Sequence, residues 1–277
     1  MKTYFAVSDV HSFYIEMVHA LLKQGFDASN PEHIVVVCGD AFDRGPDTVK
    51  MFEFLKEMYE EKRLIYIRGN HEDLLFNCMY EIINGHIPSY HHFTNGTVRT
   101  ICDLCGYNNE NLITHISEDR KWDIYERLNP LLEFITKATV DYWETDHYIF
   151  VHGWVPCTTP DTNIYHARKK FGTVDPVWNQ SKDPLYDGAW KAARWINGME
   201  AWNQGCRIEG KTIVMGHWHC SWGWSHLRME RKEFPQKNRK DWEKSFEPFA
   251  DEGILAIDAC TAVTGKVNCV VIEELDL

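Results

Sequence analysis

Five short groups of residues carry chemistry: Asp9-x-His11, Gly39-Asp40-x-x-Asp43-Arg44-Gly45, Gly69-Asn70-His71-Glu72, His152-Gly153 and Gly216-His217-x-His219. Carboxylate, imidazole and amide oxygen together suit borderline divalent metals such as Mn, Fe or Zn, and not a thiolate site. One carboxylate shared between two ions holds them about 3.5–4 Å apart, the arrangement used for in-line displacement at phosphorus. Asp40 follows a central strand and is the natural bridge. Asp9 and His11 alternate along one segment, so an extended backbone would point both side chains the same way. Asn70 adds a neutral oxygen, which leaves net positive charge to attract phosphate. His152 and His217 would complete the second ion, and His219 could complete the first. Arg44 offers a fork of donors for phosphate oxygens. Asp43 and His71 are a candidate acid pair, in which the carboxylate orients an imidazole that protonates the leaving oxygen.

Each group follows an apolar run directly: Tyr4 to Val7, Ile34 to Val37, Leu64 to Ile67, Tyr148 to Val151, and Thr212 to Met215. In open α/β sheets the ligand site lies outside the carboxyl ends of the strands, so one crevice gathers all five groups. The β-branched run at Ile34 predicts a strand buried on both faces. Ile15, Val18 and Leu22 recur at helical spacing behind a Ser12 cap. Pro46 opens a second helix with a stripe of Val49, Phe52 and Leu55, and a third begins near Glu72. This alternation implies a largely parallel sheet covered by helices. Residues from about 77 to 140 are helical and polar and read as an inserted lid. Ile254 to Ile257 and Val267 to Ile272 flank Thr264-Gly265-Lys266, which predicts a closing hairpin. With Trp-rich segments at roughly 160–205 and 221–250, residues 1–277 read as one decorated domain.

Bulk properties narrow the partners. A formal charge of -12 disfavours binding to a long nucleic-acid groove. Nine scattered cysteines give an odd number and no disulfide framework, which points to a reduced, cytoplasmic setting. No run approaches the ~18 apolar residues of a membrane helix. Cys102-x-x-Cys105 lacks a partner pair for zinc, His91-His92 reads as a solvated loop pair, and Cys38 as a small core residue. Trp218, Trp222 and Trp224 read first as loop-packing anchors and second as a stacking surface for a base or sugar. The run from Arg228 to Lys244 reads as a solvated, mixed-charge excursion.

As a set, the five groups resemble the calcineurin-like metallophosphoesterase superfamily. Gly-Asp-x-x-Asp-Arg-Gly with Gly-Asn-His-Glu is most similar to its PPP-type phosphoprotein phosphatases, including the smaller bacterial and phage members. The resemblance runs from Asp9 to the region of Gly265. It implies an α/β fold, a four-layer α/β/β/α sandwich with helical and Trp-rich loop insertions. It also implies that Asp9, His11 and Asp40 hold one ion and that Asp40, Asn70, His152 and His217 hold the other, with Mn favoured. A bridging hydroxide would attack in line, Arg44 would bind phosphate, and His71, steadied by Asp43, would act as general acid. The family's second phosphate-binding arginine corresponds best to Arg194, 23 residues before His217, with Arg168 and Arg207 as weaker matches. Ser8 and Ser12 stand where most PPP members have glycines, and Trp154 where a small residue is usual. His219 belongs to the pattern of the wider superfamily, where it binds the first ion. The expected function is a metal-dependent phosphomonoesterase acting on phosphoserine or phosphothreonine in proteins. The alternative is a nucleotide-directed hydrolase, either a dinucleoside polyphosphate hydrolase or a phosphodiesterase. The Trp cluster, His219 and the missing glycines favour that alternative.

Overall fold

The apolar runs become strands whose alternate residues enter different cores, as a period of two demands. The computed structural model describes residues 2–108, 110–113, 116–158, 170–180, 187–229 and 244–274. Arg168 and residues 230–243 of the mixed-charge run lie outside them. The first sheet has the order β10-β1-β2-β3-β4, formed by Val270–Glu274, Lys2–Val7, His33–Cys38, Leu64–Ile67 and Thr139–Val140. The second has the order β5-β6-β7-β9-β8, formed by Trp143–Glu144, Tyr148–Phe150, Thr212–Met215, Ile254–Ala256 and Phe249–Asp251. Strands β1 to β4 are parallel, as are β6, β7 and β9, while β10, β5 and β8 join antiparallel at or near the edges.

Three cores separate the layers. Phe5, Val7, Val35, Val37 and Tyr66 face the helices of the first half. Tyr4, Ala6, Ile34, Val36, Phe150 and Val214 meet between the two sheets. Ile149, Val151, Ile213 and Met215 face the Trp-rich second half. The continuous β-branched run Ile34 to Val37 is thus shared between two cores, which is why it carries no polar alternation. Helices α1 (Tyr14–Lys23), α2 (Thr48–Glu60), α3 (Asn70–Ile83), α4 (Tyr90–Thr94), α5 (Thr97–Cys105) and α6 (Glu118–Ala138) cover the first sheet. Helices α7 (Asp187–Ala193) and α8 (Gly198–Asn203) contribute Trp190, Ala193, Met199 and Trp202 to the core of the second. The result is the α/β/β/α sandwich.

Several local expectations change. The closing hairpin does not form: β9 pairs with β7 and β8, whereas β10 crosses to the other sheet and pairs with β1, Tyr4 opposite Ile272. Thr261–Thr264 is a short helical turn between them. Ile272 fills the inter-sheet core beside Tyr4, so burial there decides a pairing that local turn chemistry does not. Helix α1 begins at Tyr14, with Ser12 two residues ahead at φ 59°, and it buries Met17 and Leu21 while Ile15 and Leu22 face solvent. Helix α2 begins at Thr48, two residues after Pro46. The presumed lid contributes Val98, Ile101, Ile124 and Leu128 to the first core, so it is packed into the body of the fold. His92 is fully buried, unlike the solvated pair expected. Among the described residues no helix is long and apolar enough to cross a membrane.

Candidate metal centre

The chemistry-bearing residues sit in a backbone conformation that L-residues avoid. Asp9, His11, Ser12, Asp40, Asp43, Arg44 and His217 all have φ between 47° and 74°. Each such residue costs about 1–3 kcal/mol and persists only where its surroundings over-determine it. The expected extended alternation of Asp9 and His11 is therefore replaced by left-handed turns beyond the end of β1. Two of these turns brace each other: Asp9 N, His11 N and Ser12 N donate to the carbonyls of Gly39 (3.2 Å), Asp40 (3.0 Å) and Ala41 (2.7 Å). Gly39, at φ +80°, lies against the His152 imidazole, where a Cβ would stand 2.4 Å from Nδ1. Gly216 likewise packs against Ser8 and Asp9, so the second sheet closes directly onto the first.

Asp40 lies at the centre. Its carboxylate groups with His11 and His71 on one side and with His152 and His217 on the other, the ligand atoms of each group lying within 4.8 Å of one another. Asp40 follows β2 and His217 follows β7, the middle strands of their sheets. The imidazoles are set for metal. His11 Nδ1 bonds to the Phe42 carbonyl at 2.9 Å, and His152 Nδ1 to that of Cys38 at 2.8 Å. Each Nδ1 therefore carries the proton and leaves an Nε2 lone pair facing inward. His152 Nε2 and Asn70 Oδ1, both acceptors in that tautomer, stand 2.8 Å apart, as ligands of one cation do. Burial first, then neighbouring positive groups, holds His11, His71 and His217 well below the usual imidazole range. Burial, followed by the charge of Asp9, pushes Asp40 well above the usual carboxylate range. Neutral imidazoles around a carboxylate short of positive charge fit divalent cations. Asp9 and His219 lie outside both groups: Asp9 Oδ2 accepts from Ser8 Oγ at 2.5 Å and His217 N at 2.8 Å. The His219 ring stands edge-on to Phe246.

The roles of two acidic residues escaped sequence reasoning, one outside the five groups and one within them. Asp258, buried at the end of the β9 run, is pushed well above its ordinary range by burial and then by Asp9; its position after Ile254 to Ile257 was the available signal. Glu72 is the second. Its Oε1 accepts from Ala41 N (2.9 Å) and Tyr66 Oη (2.7 Å), and its Oε2 from Asp40 N (3.0 Å) and Gly69 N (2.7 Å). One buried carboxylate thus pins the ends of β2 and β3, closing half of a capping box on the way. Glu72→Gln places an NH2 where two donors already point. The expected loss is about 1–3 kcal/mol for the unsatisfied groups, with weaker metal retention, read from thermal melting and metal analysis of the same sample.

Arg44 and the acid pair assemble as a unit. Arg44 Nη1 lies 3.0 Å from His11 Nε2 and Nη2 lies 3.1 Å from His71 Nε2. His71 Nδ1 lies 2.7 Å from Asp43 Oδ2, and burial pushes the Asp43 carboxyl up to about 6 against the pull of the Thr100 and Thr97 hydroxyls. Arg194 is differently engaged: Nη1 pairs with Asp73 at 2.7 Å and Nη2 with Asp141 at 2.5 Å, while Arg68 holds the other oxygen of Asp73. Arg207 lies over the Trp202 ring. Cys102 and Cys105 are buried thiols, pushed by burial up to about 12 and about 11. Trp218, Trp222 and Trp224 pack partly buried against the second-half core. An indole that the sequence did not single out also reaches the site. Trp195 is half-buried, belongs to none of the three cores, and meets His217 edge-on at 5.7 Å between centroids.

Residues 3–248 match the family described as calcineurin-like phosphoesterase. The chain belongs to that family. Among curated relatives, it is 29% identical over 173 residues to the asymmetrical bis(5'-nucleosyl)-tetraphosphatase PrpE of Bacillus subtilis (strain 168). That match covers 60% of this chain and 63% of the relative, so the chain spans less than two thirds of the relative's length. Similar solved structures include a cold-active protein-tyrosine phosphatase of a Shewanella species (16% identity, TM-score 0.48, covering 99% of this chain and 76% of that one). Another is a protein serine/threonine phosphatase from Saccharomyces cerevisiae (14% identity, TM-score 0.44, covering 100% and 81%).

Proposed function

We propose that this calcineurin-like phosphoesterase is a divalent-metal-dependent hydrolase of nucleotide polyphosphates, of the dinucleoside polyphosphate class. The disposition of its arginines carries the reading. A phosphomonoester dianion calls for paired guanidinium groups, whereas Arg194 has both terminal nitrogens committed to Asp73 and Asp141, and only Arg44 of the two bonds imidazoles of the site, those of His11 and His71. Internal phosphates of a polyphosphate carry less charge each and depend less on such a pair. The relatedness to a bis(5'-nucleosyl)-tetraphosphatase supports the same class.

In this reading Asp9, His11, Asp40 and His219 would hold one ion, and Asp40, Asn70, His152 and His217 the other. The ions supply Lewis acidity at the phosphoryl oxygens and activation of water. Arg44 orients the substrate: a phosphoryl oxygen accepts its N–H groups better than the His71 and His11 rings do. Drawing the guanidinium onto phosphate frees His71 Nε2 to carry the proton that the leaving oxygen needs, while Asp43 fixes Nδ1. In this reading the half-buried Trp195 would stack a base beside His217. Trp195→Ala is expected to raise KM for diadenosine tetraphosphate at least about five-fold more than for 4-nitrophenyl phosphate, since a stacked base contributes ~1–3 kcal/mol.

The test is a steady-state comparison on the Mn-supplemented protein of diadenosine tetraphosphate, a phosphothreonine peptide, 4-nitrophenyl phosphate and bis-4-nitrophenyl phosphate. A kcat/KM highest for the dinucleotide supports the proposal. A preference for the peptide and the monoester returns the chain to the protein-phosphatase reading that Asp43-Arg44-Gly45 with Asn70-His71-Glu72 first suggested.

A further inference from the structure

Asp43 and Arg44 lie on a left-handed turn, at φ 74° and 62°, and much of what holds that turn comes from the start of α5. Thr97 Oγ1 donates to Asp43 Oδ2 at 2.9 Å, and Thr100 Oγ1 donates to Oδ1 at 2.7 Å. The same Thr100 hydroxyl accepts from Asp43 N at 3.0 Å, closing a ring around the residue. Just before them, Asn95 Oδ1 accepts from Arg44 Nη2 at 3.4 Å. Gly96, at φ +86°, lies so close beneath Arg44 that a Cβ would stand 2.4 Å from its amide nitrogen. Thr97 and Thr100 are 0% and 1% exposed, on a helix whose Val98 and Ile101 fill the first core. Packing alone would favour apolar residues at such positions, because a buried hydroxyl costs unless bonded. Buried helical threonines commonly return their hydroxyls to the carbonyl four residues back. Both of these are spent on one carboxylate instead.

We propose that Thr97 and Thr100 are positioning residues for proton delivery: they lock the Asp43 carboxylate so that Oδ2 stays on His71 Nδ1 and Nε2 stays aimed at the leaving oxygen. The proposal rests on the reading of His71 as general acid. It gives the helical insertion a role in catalysis that needs no movement, with α5 acting as a buttress behind the acid.

The test uses the full metal-loaded chain with two esters of unequal leaving group, phenyl phosphate and 4-nitrophenyl phosphate. Should the nucleotide form be preferred, the corresponding esters of thymidine 5'-monophosphate replace them. Thr97→Val, Thr100→Val, both serine variants and His71→Asn are compared. The valine variants should lose roughly 10–100-fold in kcat on the phenyl ester, the scale of a misplaced catalytic group, and far less on the 4-nitrophenyl ester, whose leaving oxygen needs little protonation. Metal content and KM should stay near wild type, and Thr97→Ser and Thr100→Ser should restore kcat to within a few-fold. Equal losses on both esters from the valine variants, beside a leaving-group-dependent loss from His71→Asn, overturn the positioning role and leave the acid standing. Equal losses on both esters from His71→Asn remove the acid, and the positioning role with it. If Thr100→Val does not fold, Thr97→Val, which leaves the acceptor of Asp43 N in place, decides the matter alone.

Discussion

Asp40→Asn is expected to abolish turnover and to release both metal ions while leaving a folded protein. Asp40 Oδ1 accepts from His71 N at 2.9 Å and lies 3.4 Å from His152 Nε2, and the residue is common to both ligand groups. Loss of a residue that merely supports a ligand costs about 10–100-fold in metal affinity, so loss of the shared ligand should exceed that for each ion. The stability effect has the opposite sign. Burial, Asp9 and Glu72 push the Asp40 carboxyl well above the ordinary range. A carboxylate whose folded pKa is raised opposes folding at every pH above its unfolded value, near 3.9. In chelator at pH 7 the Asn variant should therefore melt above the metal-free wild type, and the gap should close as pH falls towards that value. Metal analysis and melting curves on one pair of samples decide it. Retention of two ions would show that Asp40 is not the shared ligand, and a variant less stable than the metal-free parent would show that its buried carboxylate does not oppose folding.

Arg194→Ala should be the most destabilising single change at the site. The guanidinium, 6% exposed, is bonded to Asp73 and Asp141, and Arg68 completes a four-residue chain of alternating charge. Removing one partner of a buried pair leaves uncompensated charge and costs about 3–5 kcal/mol. Asp141 is 21% exposed and Asp73 keeps Arg68, which places the effect at the lower end. At ~2–4 °C per kcal/mol for a domain of this size, melting should fall by roughly 6–12 °C. The chain ties α3 (Asp73), the turn after α7 (Arg194) and the segment after β4 (Asp141), so the loss should be felt in both sheets. A shift of only a degree or two together with lost turnover would restore Arg194 to the substrate, the role its spacing from His217 suggests.

That contrast shows where local sequence stops being informative. The placement of Asp9, Asp40, Asn70, His152 and His217 beyond strand ends was legible because each follows an apolar run, and a strand end is a local property. The three cores were partly legible too, since Ile34 to Val37 announces burial on two faces. Pairings between distant segments were not. Nothing near Arg194 names Asp73, 121 residues away, and nothing near Thr100 names Asp43. The strand β10 was assigned to its neighbour in sequence because turn residues stand before it, while the inter-sheet position of Ile272 selects β1. The left-handed backbone at Asp9 and His11 was hidden for another reason. Asp and His reach αL less often than Gly, so alternation in an extended segment was the simpler expectation. The indoles that follow His217 in sequence, Trp218, Trp222 and Trp224, are the local candidates for a stacking surface, whereas the fold brings an indole from 22 residues earlier against its ring.

Asp9, His11, Asp40 and Asn70 come from one sheet, His152 and His217 from the other, and the centre straddles the seam between them. Cations held there would be linked to docking of the two halves, because neither half alone offers the full set of candidate ligands. Binding of this kind adds to the folded state only, by about 4 kcal/mol at a ligand concentration a thousand times Kd. Melting temperature thus becomes a metal titration, able to rank Mn, Fe and Zn before any substrate is known.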